Sequence, residues 1–208
     1  MVLLKRQRSP KYPNHPCFNM RIKINITVNK AVQILLFYLF FVVLSTALFG
    51  PIFAVFITES IAGATLKTVG FAIALYGVAK SLLQIPLARY LDKHQGEKDD
   101  FHALMVGASV AVVYPFCLLF ISQQWHLYAL EVLIGLGDAS LMAAYYSLFA
   151  RHIDKGSEGF EWSLFSVGGL TVSSSIGVAV GGILADMFGF RFLFGISAGV
   201  NLAVLFML

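Results

Sequence analysis

Six long apolar stretches, parted by short polar connections, constrain this chain more than any other feature. They run over about 31–58, 68–90, 102–122, 126–150, 162–184 and 190–208. The hydrocarbon core of a bilayer is about 30 Å thick, and a helix needs about 20 apolar residues to cross it. Within lipid every backbone amide must be satisfied internally, which favours helices for stretches of this length. The expectation is an all-α integral membrane protein with six transmembrane helices over residues 31–208. Composition agrees. The chain is 58% hydrophobic and 12% charged, whereas soluble domains carry about 25% charged residues.

The basic residues are segregated. Lys5, Arg6, Arg8, Lys11, Arg21, Lys23 and Lys30 precede the first stretch, Arg89, Lys93 and Lys98 follow the second, and Arg151 and Lys155 follow the fourth. The opposite connections hold Lys67 and Arg191. Lys and Arg accumulate on the cytoplasmic side, so the expected topology is a multi-pass protein of the cell membrane with a cytoplasmic N-terminus. Residues 1–30 read as a basic, flexible cytoplasmic tail. Met20 is a second candidate start, since Met20-Arg21-Ile22-Lys23 would serve as a short cytoplasmic lead-in.

Cys17 lies in the tail and Cys117 in an apolar stretch, an arrangement that suggests neither a disulfide nor a metal site. No cofactor is expected. The Lys and Arg distribution does not form the basic face that nucleic acid requires. Gly195-Ile196-Ser197-Ala198-Gly199 has the spacing of a nucleophile elbow, yet it lies in an apolar stretch with no histidine after it. His15, His94, His102, His126 and His152 all fall in the tail, connections or stretch ends, so an intramembrane enzyme would lack its base.

Charges inside a bilayer are costly and point to function. Lys80 lies in the second stretch, and Glu131 and Asp138 lie in the fourth. Seven residues apart on a helix, the two acids share one face about 10 Å apart along the axis, with Gly135 between them. Lys80 and Asp138 are each twelve residues from the outer end of their stretch, a matched depth of about 18 Å. Opposite signs at equal depth suggest an ion pair, whether static or titrating. Gly177 and Gly181 make one side of the fifth stretch small, as close helix packing requires. Gly50-Pro51 interrupts the first stretch, since proline lacks an amide donor and clashes with the preceding turn.

Two connections echo each other. Leu87-Ala88-Arg89-Tyr90-Leu91-Asp92-Lys93-His94-Gln95-Gly96 follows the second stretch, and Gly181-Gly182-Ile183-Leu184-Ala185-Asp186-Met187-Phe188-Gly189-Phe190-Arg191 closes the fifth. They lie three stretches apart and face opposite sides, as an inverted three-plus-three repeat predicts. Here the sequence resembles the major facilitator superfamily. The stretch from Gly181 to Phe194 is similar to the family's junction between its fifth and sixth helices. The Asp92 connection resembles its signature loop, with Asp92 and Lys93 matching, Ala88 in place of the first glycine, and Glu97-Lys98 in place of the basic pair. In the fourth stretch Gly135 and Gly137 match a family motif whose arginine is Glu131 here. Gly168, Gly177 and Gly181 fit the spacing of the family's antiporter glycines, without that motif's proline and closing glycine pair.

The resemblance implies that 31–208 is the N-terminal six-helix half of a secondary active transporter that moves a small solute by alternating access. It implies a gating role for Arg89, Asp92, Lys93 and Gly96. Glu131, Asp138 and Lys80 are the candidates for the substrate or proton pathway, with protons as an optional co-ion. The expected partners are the lipid bilayer, a small-molecule substrate, and either a missing C-terminal half or a second copy of the chain. The chain ends within an apolar stretch, and truncation is the expectation, with a half-size protein as the alternative. A six-span membrane scaffold remains the competing reading.

Overall fold

The computed structural model describes residues 28–94 and 96–208. Met20, Cys17 and most of the basic tail lie outside the described residues. Asn29 opens the first helix: its Oδ1 accepts from the Ala31 amide at 3.1 Å, satisfying one of the donors that a helix start leaves free. Helix α1 runs Lys30–Ala47, a 3-10 turn spans Gly50–Ile52, and α2 runs Phe53–Ser60. Pro51 sits in that turn, where its missing amide costs no helical bond. Then follow α3 (Leu66–His94), α4 (Glu97–Leu118), α5 (Gln124–His152), the short α6 (Glu158–Ser163), a π-helical stretch (Leu164–Val172) and α7 (Ser173–Leu205).

Among the described residues, five helical runs, not six, are long and apolar enough to cross a membrane. The expected fifth and sixth stretches form one run, Glu158–Leu205. Its single departure from helical backbone is Gly189, at φ 78°, ψ 173°, a conformation open to glycine because it lacks a Cβ. Hydropathy saw the polar break at Asp186–Gly189, whereas helical hydrogen bonding continues on either side of it. The helices also overshoot the apolar stretches. At 29 residues each, α3 and α5 are about 44 Å long and reach beyond a core of about 30 Å.

Packing joins α3 to α5, α5 to α4, α4 to α7, and α7 to α1. Small residues set the closest approaches. A Cβ at Gly135 would meet the Tyr76 carbonyl oxygen of α3 at 2.6 Å, and one at Gly177 would meet the Leu44 carbonyl oxygen of α1 at 2.6 Å. Gly181 lies against the backbone of Leu48. Gly50 has open space around it, so its place is in the break between α1 and α2, not in a close helix contact. The interior has two apolar centres. One gathers Tyr38, Leu39, Tyr145, Phe149 and Phe165, and the other gathers Phe49, Phe56, Leu118, Leu127 and Phe194. Helix α3 is the least buried of the five runs.

Candidate functional site

A cavity of about 310 Å³ touches both apolar centres. Its walls come from α1, the 3-10 turn, α2, α3, α4, α5 and α7. Its polar lining is Thr46, Tyr76, Tyr114, Glu131, Asp138 and Asn201. The seven-residue spacing on α5 therefore presents Glu131 and Asp138 to one space.

The two acids keep different company. Lys80 Nζ lies 2.5 Å from Asp138 Oδ2, and Tyr76 donates its hydroxyl to the same oxygen at 2.5 Å. Tyr76 and Lys80 are four apart on α3, so they stand on one helical face. The ammonium lies 3.3 Å from the Tyr76 hydroxyl oxygen and 5.6 Å from its ring centroid, within range of a cation–π attraction. Gly135 makes this reach possible. One turn before Asp138, it lets α5 press on the α3 backbone at Tyr76 itself. Glu131 is 4% exposed and accepts from the Tyr114 hydroxyl at 2.7 Å. Among the described residues it has no cationic partner.

Sequence reasoning did not single out Tyr76, Tyr114 or Asn201. Aromatic residues in an apolar stretch carry no polar signature, and their hydroxyls became visible only through the acids that they meet. Asn201 of α7 donates to the Ala111 carbonyl at 2.9 Å, and its Oδ1 is buried without a partner.

At the opposite end of α3, Arg89, Asp92 and Lys93 are exposed, and Gly96 is half-buried ahead of α4. The structure does not pair these charges with one another: among the described residues, none of the three enters an ion pair. The nearby charge cluster is Asp100 with Arg151. Arg151 Nη1 lies 2.9 Å from Asp100 Oδ2, Ser147 donates to the same oxygen at 3.2 Å, and Arg151 Nη2 donates to the Leu91 carbonyl at 3.2 Å. This link ties the α3 end, the α4 start and the α5 end together. Opposite charges at matched height on neighbouring helices could have found it, by the logic that suggested Lys80 and Asp138.

The sequence model described as Major Facilitator Superfamily matches residues 35–208. The chain belongs to the major facilitator superfamily. No curated protein matches it with significant similarity. Major facilitator proteins are membrane transporters, and the match covers every helix that lines the cavity. The apolar helices are thus those of a transporter-family chain in a lipid bilayer.

Proposed function

We propose that the chain is a six-pass half of a secondary active transporter, with the α5-lined cavity as its solute and proton pathway. The observation that carries this reading is the exposure of two membrane-embedded carboxylates, Glu131 and Asp138, to one cavity. Buried charge is costly in lipid and is kept where it meets a pathway. The run Glu158–Leu205 has 48 residues, about 72 Å as straight helix, more than twice a hydrocarbon core of about 30 Å. A turn at Gly189 makes it two passes, so the chain crosses six times, in the order that an inverted repeat requires. The charge asymmetry then puts the N-terminus in the cytoplasm.

Rocking against a partner bundle would expose the cavity alternately to either side. The partner is a second half or a second copy, seated on the sparsely buried α3. The connection with Arg89, Asp92, Lys93 and Gly96 gates this movement, beside the Asp100–Arg151 link. The Lys80–Asp138 pair opens as the cavity changes side.

Proteoliposomes containing the full chain test this. Radiolabelled sugars, amino acids, carboxylates and amines are offered with and without a pH gradient. At least one is expected to accumulate saturably and to lose that accumulation in Asp138→Asn. Absence of saturable uptake across the panel would exclude transport by copies of this chain alone and favour a scaffold.

A further inference from the structure

Resting on the cavity as the solute site, we infer that its substrate is a small aromatic organic cation bearing N–H donors, such as a protonated primary amine. The argument is an accounting of polar groups. Each donor side chain on the cavity wall already donates to the protein. Tyr76 donates to Asp138 and Tyr114 to Glu131. Thr46 donates to the Val42 carbonyl at 3.0 Å, and the Asn201 amide donates to Ala111. The Asn201 orientation is fixed by chemistry, since a carbonyl oxygen can face the amide nitrogen but not another oxygen.

Acceptors are left over. Among the described residues, no hydrogen bond reaches Glu131 Oε2 or Asp138 Oδ1, and Asn201 Oδ1 is buried and unpartnered. Buried without a donor, Asn201 Oδ1 costs free energy, and the other two oxygens belong to side chains that line the cavity. Charge points the same way. Lys80 offsets Asp138, whereas Glu131 has no cation beside it among the described residues. Phe49, Phe53, Tyr76 and Tyr114 line the same space and are aromatic, the class of side chain whose rings attract a cation. A carboxylate solute would find acceptors where it needs donors. A sugar would find partners for half of each hydroxyl. An ammonium with an apolar ring gives Glu131 a donor and meets the walls, and about 310 Å³ suits a compact ligand.

The probes are phenethylamine, phenethyl alcohol and phenylacetate, matched in ring and length. Equilibrium binding of each to the purified full chain in nanodiscs at neutral pH is expected to rank the amine first by about tenfold, the worth of one charge-assisted hydrogen bond. Glu131→Gln should weaken the amine by about tenfold, while the glutamine oxygen still accepts from Tyr114. Asn201→Leu should weaken it less, with monodispersity on gel filtration verifying the fold of each variant. Equal or tighter binding of the alcohol or the acid, no saturable amine binding, or an unchanged Glu131→Gln affinity would each overturn the inference. If Glu131→Gln does not fold, the wild-type ranking and Asn201→Leu decide it. Flux separates the two readings. Saturable uptake of phenylacetate without the amine keeps the transporter and discards the cation. Amine binding without uptake of any solute keeps the cation and discards transport.

Discussion

Glu131 and Asp138 occupy one helix and one cavity but differ in their partners. Asp138 is held by an ammonium and a phenol, and Glu131 by a phenol alone. Removing one member of this half-buried pair strands the other, whereas removing both removes the debt as well. Lys80→Ala and Asp138→Ala are therefore each expected to destabilise the folded protein by on the order of 3 kcal/mol. Lys80→Ala/Asp138→Ala should lose less than the sum, as thermal unfolding in detergent would report. Additive losses would mean that the two groups are not coupled. Equal depth and opposite sign made this pair legible in the sequence. Tyr76 was not legible, because the i, i+4 step that aligns it with Lys80 is shared by many pairs on any helix. The signature loop shows the reverse case. Asp92 and Lys93 matched a family pattern, yet the buried charge contact at that end belongs to Asp100 and Arg151.

At the scale of elements, small residues decide how near the helices come. Gly181 has the Leu48 backbone against it, while its neighbour Gly182 has nothing within 4 Å. Gly181→Val should thus cost about 1–3 kcal/mol or more through overpacking, while Gly182→Val should be close to neutral. Folded yield in detergent compares them directly, and equal losses would show that α7 does not lean on α1 at this point. The helix existence and order were legible because apolar runs of this length leave few alternatives in lipid. Helix ends were less so. The overhangs of α3 and α5 carry polar residues, and hydropathy reads those as loops although backbone hydrogen bonds continue through them. The π-helical stretch Leu164–Val172 had no warning at all, since a wide turn differs from an α turn in bonding and not in composition.

For the whole molecule, the twelve-to-two division of Lys and Arg between the two sets of connections makes orientation testable. In a background with Cys17 and Cys117 replaced by serine, cysteines at Lys98 and Lys155 should resist an impermeant thiol reagent outside intact cells. One at Met187, which is exposed, should react; the opposite labelling would invert the topology. Orientation was legible because charge bias is a property of sequence alone, whereas the cavity required seven separate elements to converge. The Lys80–Asp138 contact has one more consequence, in time. Lys80 is synthesised 58 residues before Asp138, a lag of about 3–12 s at about 5–20 residues per second. A lysine at mid-helix opposes insertion by about 2.5–3.5 kcal/mol, and until α5 emerges no carboxylate is there to receive it. The nascent α3 therefore carries that cost until a helix that the ribosome has not yet made brings the carboxylate.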